Sequence, residues 1–223
     1  MFLTLPDVLD GASLNRLRNG LGAAQWEDGL ATTGAAGHGR KHNLQVAAGE
    51  PQLAEWQQIV AQALSRHPMM QFLVLPKQLM APLFNRYDTG MYYRDHVDFP
   101  LPTSGAGQMR ADLSVTVFLS APEEYEGGEL VVDASDGERR FKLPAGQAIV
   151  YPASTLHRVE PVRSGVRLGA VSTIQSRVRG ESERALLGDL VTLWNRIEER
   201  MPASDEVRLV KKIHHNLVRL WAD

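Results

Sequence analysis

The stretch YYRDHVDFP (92–100) sets His96 and Asp98 two residues apart among strand-forming residues. In an extended chain, residues i and i+2 project to the same face, so one imidazole nitrogen and one carboxylate oxygen can meet a single ion. Alone the pair is a weak signal, because H-x-D recurs by chance and a capping histidine beside a turn aspartate is the plainer account. A third donor, His157, stands in YPASTLHRVEPVRSGVRLGAV (151–171), in a separate predicted strand. Two histidines and one carboxylate form the donor set of non-haem Fe(II) oxygenases and leave one face of an octahedral ion open. Arg167 follows His157 across the turn-forming EPVRSG. If the bend centres near Val162, the two face each other on adjacent antiparallel strands. A guanidinium there could grip a carboxylate bidentately while the other end of that molecule chelates the metal. A 2-oxo acid with a distal carboxylate meets this demand, whereas hydrolysis at zinc needs no such clamp.

The bulk composition is compatible with this chemistry. The chain has 223 residues, 43% hydrophobic and 22% charged, as in ordinary folded proteins. With no cysteine, thiolate sites, disulfides and cysteine nucleophiles are excluded, so any metal must be held by His, Asp or Glu. A formal net charge of −2 gives no electrostatic reason to expect nucleic acid or an anionic membrane as partner. The opening MFLTLPDVLDG is too short and too soon acidic for a secretory signal, and no apolar run is long enough for a bilayer. The expected location is cytoplasmic, where reducing conditions suit ferrous iron.

The elements that must position these residues fall into three textures. Residues 6–25 predict a helix with Ser13 as N-cap, and 50–66 a second, with Leu53, Trp56, Ile59, Val60, Ala63 and Leu64 as its apolar stripe. Between them, 29–46 reads as a loop leading into a strand near Asn43–Val46. From about residue 70, short strands follow one another. ADLSVTVFLS places Leu113, Val115, Val117 and Leu119 on one face and Ser114 and Thr116 on the other. Closely spaced strands of this kind predict a sandwich or barrel. Residues 181–200 and 204–221 predict a helical hairpin anchored by Trp194 and Trp221, with a dimer contact as the alternative role for those tryptophans. The expected division is 1–180 and 181–223.

The segments HVD, RADLSVTVFLS, EYEGGELVV, KLPAGQAIVYPASTLHRVEPVRSGVRLGAVSTIQSRVR and HHNLVRLW together resemble the PKHD-type hydroxylases, within the iron- and 2-oxoglutarate-dependent dioxygenases related to prolyl and lysyl hydroxylases. The resemblance covers nearly the whole chain. It implies a mainly β fold with flanking helices, a double-stranded β-helix (jelly-roll) core and the C-terminal hairpin. It also implies Fe(II) on His96, Asp98 and His157, 2-oxoglutarate on Arg167, O2 as oxidant and support from L-ascorbate. Tyr87, in FNRYDTGMYY, resembles a tyrosine lining the co-substrate pocket of prolyl hydroxylases. Thr173 stands where relatives commonly carry an aromatic residue, and FPLP after Asp98 also departs from the pattern, which bears on pocket shape and substrate.

The implied reaction hydroxylates a peptidyl prolyl or lysyl side chain or a small metabolite, releasing succinate and CO2. The competing functions are a non-catalytic iron and 2-oxoglutarate sensor and a cupin-like metal isomerase or hydrolase, which has no use for Arg167. His38, His42 and His67 are not expected to be ligands, and His214 and His215 are assigned to the polar flank of a helix. The loops at 29–39 and 99–109 are candidate lids, with ordinary surface loops as the alternative.

Overall fold

Two facing sheets carry the core, and the strands that build them are those of the alternating central segment. A computed structural model describes residues 2–32, 37–105 and 107–223. The larger sheet has eight strands. Its centre is Leu113–Phe118, paired antiparallel on one side with Ala148–Pro152 and on the other with Arg167–Ser176, which pairs in turn with Leu83–Tyr87. The smaller sheet has five, ordered Gly137–Phe141, Leu130–Ala134, His157–Val159, Tyr92–His96 and Lys41–His42. Successive strands cross between the sheets, and the result is a jelly-roll core with helices on the outside.

The two faces of the larger sheet have different partners. Leu113, Val115, Val117 and Leu119 point outward and pack with Leu17, Leu21, Trp56, Val60 and Leu64 of helices Gly11–Ala23 and Leu53–Arg66. Trp56 seats its ring against Gly20, where a β-carbon would lie 2.5 Å from it, and meets Phe84 edge-on at 6.1 Å. Ser114 and Thr116 lie on the other face, as the alternation predicts. They are also buried, because that face lines a cavity between the sheets. The first helix is capped by Asp10, whose carboxylate accepts from the Ser13 backbone N–H at 2.7 Å, so Ser13 is the third helical residue and not the cap.

The expected His157–Arg167 hairpin does not form. His157–Val159 belongs to the smaller sheet and Arg167–Ser176 to the larger, so the two residues approach each other across the cavity. Between them Pro161, with no N–H to continue a ladder, redirects the chain. Val162–Gly165 then pairs with Tyr125–Gly127, and Gly165 turns at φ +76° where a β-carbon would strike the Glu124 carbonyl. The EPVRSG segment is a passage between sheets.

Helices Glu181–Arg200 and Asp205–Trp221 form the C-terminal hairpin, the second capped by Ser204 accepting from Val207 N–H. Trp194 meets Phe72 edge-on at 5.7 Å, beside the turn Met70–Val74. His214 is not on the polar flank. It is 2% exposed and packs against Trp194, because the apolar stripe of this helix passes through its position. No described helix is long and apolar enough to cross a membrane.

Candidate metal centre and co-substrate pocket

His96 and His157 are direct partners in the ladder between Tyr92–His96 and His157–Val159, with ring centroids 4.2 Å apart. Each Nδ1 contacts the carbonyl two residues earlier, Arg94 at 2.8 Å and Thr155 at 2.9 Å. A carbonyl only accepts, so Nδ1 carries the proton and Nε2 presents its lone pair to the cavity. Asp98 lies just past the strand, on an extended segment held by its N–H to the Ala153 carbonyl at 3.3 Å. Its Oδ1 stands 3.7 Å from His157 Nε2, while Oδ2 accepts a short hydrogen bond from Ser114 Oγ. The three donor atoms lie within 4.8 Å of one another, the one group of this kind among the described residues. Burial, and then His157, push the His96 pKa down to about 4, so its imidazole is neutral at neutral pH, as a metal ligand must be. Donor types, tautomers and spacing fit a divalent first-row ion with an open face.

Arg167 projects into the same cavity from the larger sheet. It is 2% exposed, directly opposite Tyr87 in the ladder, with its guanidinium carbon 5.1 Å from the Tyr87 ring centroid and 5.5 Å from that of Phe118. Its Nε is buried with no hydrogen-bond partner among the described residues, and the same holds for the Tyr125 hydroxyl. A buried guanidinium with an orphaned Nε and no carboxylate pairing with it among the described residues calls for an anion, and a planar carboxylate matches its fork. Burial raises the Tyr87 pKa to about 12, so that hydroxyl stays a neutral donor.

The cavity, of about 670 Å³, is lined by His96, Asp98, His157, Arg167 and Tyr87 together. It also contains residues that sequence reasoning did not single out. Tyr151 meets His157 edge-on at 5.1 Å, and Ser114 holds Asp98. Along one wall runs a polar row in which Thr32 donates to Gln45, Gln45 and Asn43 both donate to Asn85, and Lys41 donates to Thr32. The phase of Ser114 and Thr116 in Leu113–Phe118 was the available signal for Ser114. Lys41, Asn43 and Gln45 alternate within the single stretch KHNLQ, a local period-two signal, whereas Thr32 and Asn85 join them only through the fold. Thr173 lines the cavity, as its motif position implies. Of the two candidate lids, residues 33–36 and 106 lie outside the described residues. The described part of 99–109 contributes Phe99 and Pro102 to the cavity, and Gly29–Thr32 contributes Thr32.

A model of the 2OG-Fe(II) oxygenase superfamily matches residues 82–174, the span from the Tyr87 strand to the Arg167 strand. A PKHD-type hydroxylase of Hyphomonas neptunium is 43% identical over 226 residues, covering 100% of both chains, and one of Stenotrophomonas maltophilia is 41% identical over 224, again covering 100% of both. The chain is a member of the PKHD-type hydroxylase family. Among solved structures, a Trichoplax adhaerens prolyl hydroxylase in complex with a hypoxia inducible factor peptide superposes with a TM-score of 0.56. It is 16% identical, covering 83% of this chain and 86% of that one, a likeness of fold. As a PKHD-type hydroxylase the protein is a 2-oxoglutarate-dependent oxidoreductase that uses Fe(II), and the His–Asp–His group is suited to that ion.

Proposed function

We propose that His96, Asp98 and His157 hold the iron, that Arg167 and Tyr87 hold 2-oxoglutarate, and that the enzyme hydroxylates a peptidyl prolyl or lysyl side chain or a small metabolite. The observation that carries this reading is the opposition of the three donors and the Arg167 guanidinium across one cavity. With both groups bound, the centre supplies oxidative decarboxylation of 2-oxoglutarate to succinate and CO2, coupled to transfer of one oxygen atom from O2 into a C–H bond. The chain's own part is positional. Arg167 pairs with the distal carboxylate and Tyr87 covers its guanidinium, so the 2-oxo acid end faces the open side of the triad. Phe118, Tyr151 and Leu130 around the co-substrate keep water from it.

L-Ascorbate as a supporting reductant, a cytoplasmic location and a catalytic unit within 1–180 belong to the same proposal. They rest on the family resemblance and on the need of ferrous iron for a reducing medium. The decisive experiment adds Fe(II) and 2-oxoglutarate anaerobically and looks for a metal-to-ligand charge-transfer band, then admits O2 and measures succinate. The band and succinate are both expected. A band with no succinate, even with candidate substrates, would leave a sensor, and no band would remove the assignment. Mass spectrometry for a product heavier by one oxygen atom then identifies the substrate.

A further inference from the structure

Two buried cations face the cavity, and the co-substrate accounts for one. The other is Lys41, 7% exposed, on the edge strand of the smaller sheet. Its ammonium donates to the Gly29 carbonyl and to Thr32 Oγ1, both at 2.8 Å, which leaves one N–H without an acceptor among the described residues. It lies 5.4 Å from the centroid of the Tyr93 ring, and that ring stacks on His96 at 3.6 Å. No carboxylate pairs with it among the described residues; Asp28 attracts it without contact. Burial lowers its pKa to about 8, so at neutral pH the site still holds a desolvated positive charge whose protein partners are neutral.

The mouth of the same cavity has the opposite character. Val97, Phe99 and Leu156 line it yet are 54%, 72% and 42% exposed. Large apolar side chains gathered at the entrance of a polar pocket are a surface that a ligand covers. At about 670 Å³, the cavity is in the range that encloses a drug-sized molecule, larger than 2-oxoglutarate alone requires.

We infer that Lys41 anchors the primary substrate, and that this substrate is an amphipathic anion with a carboxylate on Lys41 and an apolar body against Val97, Phe99 and Leu156. The inference rests on the assignment of Arg167 to 2-oxoglutarate. Tyr93 stands between Lys41 and His96, so the anionic group is held off the metal and the C–H presented there belongs to another part of the molecule.

The test uses the full chain loaded with Mn(II) and 2-oxoglutarate, with benzoate as probe and benzamide as its neutral isostere. Broadening of the probe's proton resonances by Mn(II) reports binding beside the metal. Benzoate is expected to bind about tenfold or more tighter than benzamide, the value of a charge-assisted pair over a neutral one. Lys41→Met should erase that preference with 2-oxoglutarate affinity unchanged, which also shows that the variant is folded, and Lys41→Arg should keep it. Absence of benzoate binding, equal binding of the two probes, or a preference that survives in Lys41→Met overturns the proposal. So does a loss of 2-oxoglutarate affinity in Lys41→Met with Lys41→Arg normal, since Lys41 would then serve the co-substrate. Unchanged 2-oxoglutarate binding in Arg167→Met is a separate result, which sinks the underlying assignment and this inference with it.

Discussion

His96 and His157 stand opposite each other on neighbouring antiparallel strands, each with its Nδ1–H tied to the carbonyl two residues before it. One backbone device, used twice in register, aims both Nε2 atoms at the same point. Asp98 needs a different support because it lies beyond the strand, and Ser114 of the facing sheet provides it. On the back of the same strands, Arg158 pairs with Asp95 at 3.3 Å and with Glu138 at 2.7 Å, so the neighbours of both histidines are cross-linked in the same register.

Removing a donor should abolish metal binding. Asp98→Ala and His157→Ala are expected to lose Mn(II) binding by calorimetry and succinate formation under O2, with the circular dichroism of the fold retained. Undiminished succinate release from Asp98→Ala would refute its place in the triad.

Ser114→Ala should act on the metal without touching a ligand. Freed from Ser114, the Asp98 carboxylate can rotate, and metal affinity should fall by about 10- to 100-fold, the usual effect of losing a group that orients a ligand. Ser114→Thr, which keeps the hydroxyl, should recover much of it. Equal metal affinity in wild type and Ser114→Ala would show that the hydrogen bond does not position Asp98.

Arg167→Met should raise the KM for 2-oxoglutarate by roughly ten- to hundredfold, the worth of a buried charge-assisted pair. Metal affinity measured without co-substrate should not change, because the guanidinium belongs to the opposite sheet from both histidines. Arg167→Lys should restore little, since a point charge lacks the planar fork.

The metal-free protein should lose stability in acid. The folded-state pKa of His96 is held near 4 against an ordinary 6.5, by burial and by the neighbouring His157. Between these values the unfolded chain takes up a proton that the folded chain refuses, so unfolding gains as pH falls from about 6.5 towards 4. Thermal melts in chelator should show Tm dropping across that window, and His96→Gln should flatten the drop. A pH-independent Tm from 7 to 4.5 in wild type would contradict it.

Much of this was legible in the chain itself. The H-x-D pair, the distant histidine and Arg167 stand at the cavity, and the helical hairpin spans 181–200 and 205–221 against expected 181–200 and 204–221. Periodicity reports which side chains share a face, and that is a local property. It placed Ser114 and Thr116 opposite Leu113 and Val115, but it could not say that the polar face is also buried. It assigned His214 to the polar flank, because histidine is polar by type and only the packing of Trp194 beside it makes the position interior.

What the amino-acid sequence determined by itself was the inventory: three donors of metal-binding type without cysteine, an arginine ten residues after the last of them, and strands short enough for a jelly roll. Tertiary structure decided which sheet each strand joined. The expected His157–Arg167 hairpin became two residues on facing sheets, and Thr32 and Asn85 reached Gln45 from separate stretches of the chain. Strand pairing is a contact between distant parts of the chain, chosen by the total burial of both faces, so no single stretch encodes it.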